Sequence, residues 1–323
     1  MRTSLRTPAV ALLLVACGGG SNPVSAPTPP IRNTTFLAFL DENRNGLLDG
    51  SEAIRIPGVE ISFGSASGRT TAPTGTVSLD VAQSAQTLSV SPGSLPPYHR
   101  APDPSVQAPP AAGTFHVPIT LPLGMGVAPG VFLAFGDSIT NGQAGVGDGQ
   151  GYTGELEKRL TAHFGKARVI NDGVDSSSSE RGDARIGDSL AGGRPAFTLV
   201  LYGTNDWADP RCGQTPCFTI DRLRSMVQKV KAQGGFPFVG TLLMTNVGGD
   251  FRASPQRNSW IAAQNDNIRR MALEEDVVLV DLHAAFERSP LPYSDLFADY
   301  IHPSAQGYRL IAETWFEAIT KRR

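Results

Sequence analysis

From Thr34 onward the first third of the chain is built of short, partly alternating apolar runs: Phe36–Leu40, Val59–Phe63, Thr76–Val81 and Thr87–Val90, each closed by Gly, Pro or Ser. Period-two alternation at this spacing predicts a small β-sandwich. Seven prolines between Ser91 and Gly113 exclude helix and central strand there, and Thr114–Leu123 is expected to return as a last edge strand. Beyond Val131 the pattern changes. Apolar runs at Val131–Phe135, Arg168–Ile170, Phe197–Tyr202, Phe236–Leu243 and Val277–Asp281 alternate with helix-length segments near Thr153–Phe164, Asp221–Ala232, Ser259–Glu274 and from Ser304. Leu156, Leu160 and Phe164 recur every four residues, the spacing of one buried stripe. Five such runs separated by helices imply a parallel five-stranded sheet covered on both faces. Ligands of such sheets bind beyond the carboxyl ends of the strands.

The flanks complete the organisation. Residues 17–33 read as a Gly/Ser/Pro-rich linker, 34–122 as the β-module and 131–323 as the α/β domain. With 28 basic and 30 acidic residues the chain has no electrostatic footprint for nucleic acid, and no apolar run is long enough to span a bilayer as a helix. Residues 1–16, with Arg2 and Arg6 before the apolar Ala9–Ala16, read as an export signal. The following Leu14-Val15-Ala16-Cys17 resembles a bacterial lipobox, which implies cleavage before Cys17, lipidation of its thiol and a membrane anchor on an exported protein. Gly18-Gly19-Gly20-Ser21 would then be a flexible tether. Export also places Cys212 and Cys217 in an oxidising compartment, where a disulfide is expected; closing so small a ring contributes only about 2 kcal/mol, a loop clip rather than a framework.

Polar groups follow the strands in four places: Gly136-Asp137-Ser138-Ile139-Thr140, Asn171-Asp172-Gly173, Gly203-Thr204-Asn205-Asp206 and, before the last helix, Asp299-Tyr300-Ile301-His302-Pro303. Each alone is ordinary turn composition. Together they bring a hydroxyl, an imidazole, a carboxylate and several donors to one sheet edge, the inventory for acyl transfer. In order and spacing these four blocks resemble those of the SGNH (GDSL-type) hydrolases, over the whole of the second domain. The resemblance implies a three-layer, flavodoxin-like α/β/α fold and a serine esterase that needs neither metal nor organic cofactor for catalysis. It assigns Ser138 as nucleophile, His302 as general base and then acid, and Asp299 as the carboxylate that orients His302. It assigns the oxyanion donors to the backbone N–H groups of Ser138 and Gly173 and to the Asn205 amide. One departure stands out: Val174-Asp175 and the serine run Ser176–Ser179 follow Gly173, and this reads as a lengthened, flexible loop.

Asp137 and Asp206 are expected to fix loops as hydrogen-bond acceptors. Trp207 either walls the substrate pocket or covers the core. His99, His116, His163 and His283 have no zinc-site spacing and are expected in structural or exposed positions.

In the β-module, Asp41-Glu42-Asn43-Arg44-Asn45-Gly46-Leu47-Leu48-Asp49-Gly50-Ser51-Glu52 matches a twelve-residue calcium loop at its first, third, fifth, ninth and twelfth places, with Gly at the sixth. The flanks are strand-like, and Ile56-Pro57-Gly58-Val59 follows. The arrangement resembles SdrD B-type and prealbumin-like modules of bacterial surface proteins, which implies a structural Ca2+ held by Asp41, Asn43, Asn45, Asp49 and Glu52 with the Leu47 carbonyl. The same residues also compose an ordinary polar turn.

The reading that unites these features is an exported, lipid-anchored serine esterase. Its expected substrates are short acyl or acetyl esters, O-acetylated carbohydrate among them; the competing substrate class is acyl esters of lipids or lysophospholipids. No long apolar lid is evident, which favours short chains in a shallow cleft. A non-catalytic, glycan-binding surface lipoprotein is the alternative; its mark would be a missing triad member, and none is missing.

Overall fold

The structure, a computed structural model, describes residues 28–110, 113–142, 151–248 and 252–321. The expected signal and Cys17 lie outside the described residues. The β-module comprises β1 (Ile31–Leu40), β2 (Glu60–Phe63), β3 (Ala66–Arg69), β4 (Thr76–Ala82), β5 (Gln86–Val90), β6 (Ser105–Gln107) and β7 (Thr114–Ile119). They form two facing sheets, β4-β1-β7 and β3-β2-β5-β6. Pairing is antiparallel throughout except between β1 and β7, which run parallel with Phe36 beside Phe115. Inward residues Phe36, Ile61, Phe63 and Phe115 fill the space between the sheets. The periodicity misses β3 and β6. The first is Ala-Ser-Gly-Arg and has no apolar face of its own, and the second lies inside the proline-rich stretch, where only the edge position it takes is compatible with missing donors.

The second domain follows as β8 (Ala128–Gly136), α1 (Ser138–Asn141), α2 (Gly151–Phe164), β9 (Arg168–Gly173), α3 (Ser179–Gly193), β10 (Pro195–Leu201), α4 (Phe218–Gln233), β11 (Phe236–Gly240), α5 (Pro255–Glu274), β12 (Val278–Val280), α6 (Leu282–Glu287) and α7 (Ala305–Thr320). The five strands are all parallel, in the order β12-β11-β10-β8-β9. Alternate side chains serve opposite faces. Phe132 and Ala134 of β8 face the core shared with α2 and α7, whereas Leu133 and Phe135 face the one shared with α3, α4 and α5. The chain leaves β8 toward β9 on one side and later reaches β10 on the other, so the order reverses at β8, and the crevice beyond its carboxyl end is the place such a sheet offers a ligand.

The two modules share a core instead of being joined by a free linker. The Tyr98 hydroxyl donates to the Pro237 carbonyl at 2.6 Å and accepts from the Val278 N–H at 3.2 Å, and its ring stacks on Phe236 at 4.4 Å. His99, beside Phe197, is held neutral by burial, which depresses its pKa to about 4. The Arg55 N–H reaches the Phe164 carbonyl at 2.9 Å. The proline-rich segment thus seats the β-module on the amino-terminal side of the sheet, away from the strand ends that carry the four polar blocks.

Candidate active site

At the end of β8 the chain turns sharply. A Cβ on Gly136 would lie 2.1 Å from Thr140 Oγ1 and 2.7 Å from the Leu201 carbonyl, so only glycine permits the turn. Asp137 then caps α1 by accepting the Ile139 N–H at 3.0 Å. Ser138 begins that helix, where its own N–H has no intrahelical acceptor. Its hydroxyl is 2.9 Å from His302 Nε2, across 164 residues of sequence. His302 Nδ1 is 2.7 Å from Asp299 Oδ2. Asp299 Oδ1 accepts the N–H groups of Ile301 and His302 at 2.8 and 2.7 Å, which closes a tight loop around the pair. Burial alone would raise the Asp299 carboxyl, but the hydrogen bonds from His302 and Ile301 hold it below its ordinary value. An ionised acceptor at Nδ1 keeps the ring proton on that nitrogen and leaves Nε2 free to accept from serine.

Asn205 follows β10, and its Nδ2 donates to the Ser177 carbonyl at 3.1 Å, which uses one of the amide's two N–H donors. The neighbouring Asp206 is fully buried and accepts from the Ser179 N–H and hydroxyl at 2.9 and 2.6 Å and from the Thr219 hydroxyl at 2.7 Å. Burial raises its carboxyl despite these bonds. Asp137 is pushed up further, to about 7, first by burial and then by the proximity of Asp206; its Oδ2 has no hydrogen-bond partner among the described residues. Both aspartates fix loops, as their sequence positions suggest.

The serine run is not loose. Ser177 and Ser179 are buried, Ser178 caps α3 by accepting the Arg181 N–H, and Ser179 is the anchor on Asp206. The sequence reading misses α3 because Gly182, Gly187, Gly192 and Gly193 interrupt its pattern. Gly173 also differs from its expected part. Its N–H is donated to Asn171 Oδ1 at 3.1 Å, and a Cβ there would lie 2.1 Å from the Asn141 backbone nitrogen, so its glycine is demanded by the close approach of α1. Ser176, three residues on, adopts a left-handed φ of +56°, and no described group accepts its N–H. That conformation is uncommon for a non-glycine residue, and only the backbone reveals it.

Cys212 and Cys217 are bonded, with sulfurs 2.10 Å apart, in the loop that follows Asn205. The Cys212 carbonyl accepts the Trp260 indole N–H, and Trp207 packs edge-on against Trp260 at 5.8 Å, as a cover over the core. Arg257, 6% exposed, donates to the Thr204 carbonyl at 3.0 Å and lies over the Tyr300 ring, 5.6 Å from its centroid. The four other histidines occupy packing positions, with rings against Phe197, Phe39 and Phe164 for His99, His116 and His163, and a Glu287 contact at 3.3 Å for His283.

In the acidic loop of the β-module, Asp41 and Glu52 are buried. Their oxygens accept the N–H groups of Asn45, Gly46, Glu42 and Asp49. Asn43 Oδ1 accepts from Asn45, Asn45 Oδ1 from Leu47, and Asp49 Oδ2 from the Asn43 amide at 2.7 Å. The ligand set is all oxygen, as a hard cation requires; each carboxylate oxygen of Asp41 and Glu52 retains a second lone pair, whereas Asp49 Oδ1 already accepts both the N–H and the hydroxyl of Ser51. Among the described residues, however, no group of three or more His, Cys, Asp or Glu side chains converges in the manner of a metal cluster.

Comparison with known proteins adds three findings. Residues 134–310 match the family model described as the GDSL-like Lipase/Acylhydrolase family. Esterase TesA of Pseudomonas aeruginosa is 34% identical over 102 residues, 32% of this chain and 49% of that protein, so the chain spans about half the length of this curated relative. Two solved structures share the fold, each at 23% identity. LAE5, an alpha/beta hydrolase enzyme from the metagenome of Lake Arreo in Spain, aligns over 62% of this chain and all of its own with a TM-score of 0.51. Axe2, an acetylxylan esterase from Geobacillus stearothermophilus, aligns over 61% and 98% with a TM-score of 0.50.

Proposed function

Since the chain belongs to the GDSL-like lipase/acylhydrolase family, we propose that it is an exported serine ester hydrolase that works through an acyl-serine intermediate on short acyl or acetyl esters. The observation that carries this reading is the continuous row Ser138 Oγ–His302 Nε2, Nδ1–Asp299 Oδ2, at 2.9 and 2.7 Å. Serine attacks the ester carbonyl as Nε2 takes its proton. The tetrahedral intermediate then collapses as the imidazolium protonates the leaving alcohol. Water repeats the sequence on the acyl-serine, with His302 again as base. The oxyanion is held by the Ser138 N–H and the second Asn205 N–H. We assign the remaining backbone donor to Ser176 in place of Gly173, because the Gly173 N–H is already committed to Asn171 while the Ser176–Ser177 turn lies against the Asn205 amide.

Short acyl groups are favoured because the sequence shows no long apolar lid. O-acetylated carbohydrate is the substrate class we favour over lysophospholipid. From the lipobox-like sequence at Cys17 we also infer attachment to a bacterial membrane or cell surface, and from the calcium-loop sequence a structural Ca2+ that would be held by Asp41, Asn43, Asn45, Leu47, Asp49 and Glu52, whose carboxylates do not converge as a cluster here. A fluorophosphonate probe is expected to label the wild type and not Ser138→Ala, and p-nitrophenyl acetate is expected to turn over faster than the octanoate. An unlabelled wild type refutes the nucleophile, and a preference for octanoate refutes the short-acyl assignment. A Cys17→Ser variant that still partitions with membranes refutes the anchor.

A further inference from the structure

One guanidinium draws together the ends of the three strands from which the serine and the oxyanion loops spring. Arg185, on α3, donates from Nη1 to Asp172 Oδ1 at 2.5 Å. Its Nη2 reaches the Asp172 carbonyl at 2.6 Å, the Tyr202 hydroxyl at 2.7 Å and the Gly136 carbonyl at 3.3 Å, and its Nε is 3.2 Å from the same Tyr202 hydroxyl. The Phe135 ring supports it from one face, 4.1 Å from Cζ. Gly136 immediately precedes Asp137-Ser138, Asp172 is the second-last residue of β9, four before Ser176, and Tyr202 immediately precedes Gly203-Thr204-Asn205. The link continues outward, since the Tyr202 hydroxyl lies 3.4 Å from Ser177 Oγ, and the Ser177 carbonyl receives the Asn205 amide.

The ladder register ends at Gly136 beside Leu201 on one side and beside Gly173 on the other. Beyond those residues each loop depends on side chains for its position. Donors to one oxyanion must sit about 2.7–3.1 Å from a single oxygen, and displacements on the order of 0.5 Å matter. A planar five-donor fork can tie three carbonyl and hydroxyl acceptors at fixed angles, and an ammonium cannot. We propose that Arg185 is a positioning residue for the transition state: it touches no substrate, and through Gly136, Asp172 and the Tyr202–Ser177–Asn205 relay it sets the spacing of the oxyanion donors. The proposal rests on the serine esterase reading above.

The test uses the full chain, p-nitrophenyl acetate kinetics normalised by fluorophosphonate titration, and an aryl boronic acid as tetrahedral mimic. For Arg185→Lys, kcat is expected to fall on the order of ten- to a hundredfold with KM within about twofold, as misplacement of donors predicts. Boronate affinity should fall in parallel. Tyr202→Phe, which removes only the hydroxyl node, should show a smaller loss in the same parameter. Unchanged kcat in folded Arg185→Lys overturns the proposal, as does a loss confined to KM with boronate affinity intact. If Arg185→Lys does not fold, Tyr202→Phe decides, and wild-type kcat there overturns it. A wild type that takes no fluorophosphonate refutes the esterase reading and this proposal with it, whereas a labelled wild type with unaffected variants refutes the proposal alone.

Discussion

Replacing Asp299 by asparagine changes one atom and tests the proton arrangement directly. Asp299 Oδ1 accepts two backbone N–H groups, those of Ile301 and His302, while Oδ2 accepts the ring Nδ1–H. An asparagine can satisfy one side only. If its carbonyl stays with the two backbone donors, its NH2 faces Nδ1 and forces the ring proton onto Nε2, where it blocks acceptance from Ser138. If the amide flips to restore the ring bond, its NH2 confronts two N–H donors. Two unsatisfied donors cost about 2–6 kcal/mol, and the carboxyl's 38% side-chain exposure argues for the low end. About 2 kcal/mol already leaves the productive flip roughly thirtyfold disfavoured. Adding the lost stabilisation of the imidazolium, kcat should fall by about 10³–10⁴. The assay is p-nitrophenyl acetate turnover near neutral pH with the melting temperature as control for folding. A folded Asp299→Asn enzyme within tenfold of wild-type kcat would show that Asp299 does not set the tautomer of His302.

Four further outcomes are expected. Asn205→Ala should lower kcat by about 10²–10³ with little change in KM, and an effect confined to KM contradicts the oxyanion role. Gly173→Ala drives a β-carbon into the Asn141 backbone and should cost about 3 kcal/mol or more in urea denaturation, whereas Gly187→Ala on the open face of α3 should stabilise by about 0.5–1 kcal/mol; equal midpoints refute the packing argument. Asp137 has a folded pKa of about 7 against an ordinary 3.8, so the folded state holds the extra proton between those values and stability is lost as pH rises through that window. Asp137→Asn keeps the cap, so its melting temperature should gain on the wild type between pH 5 and pH 8, and a constant difference refutes buried ionisation as the cause. Finally, Ca2+ at about a hundred times its Kd should stabilise the full chain by about 2.7 kcal/mol relative to EDTA, and coincident melting curves remove the metal assignment.

Local pattern alone was enough to determine the alternation of apolar runs and amphipathic segments, hence the parallel sheet, and the four polar blocks that must lie at its carboxyl edge. Those features depend on backbone period and turn chemistry, which act over a few residues. Other features depend on what lies across from a residue, and periodicity carries no record of it. The helix from Ser179 exists because buried Asp206, Thr219 and the sheet face receive it, although four glycines erase its stripe. Gly173 owes its identity to the Asn141 backbone, and its N–H to Asn171, so its place in the second block could not by itself tell a donor from a packing glycine. Tyr98 turns a proline-rich stretch into the seat between two modules, and Arg185 reads in sequence as one more helical cation. The sequence named Ser138, Asp299 and His302, but only the parallel sheet, by aligning the end of β8 with the loop before α7, decided that an oxygen and a nitrogen 164 residues apart would meet within hydrogen-bonding distance.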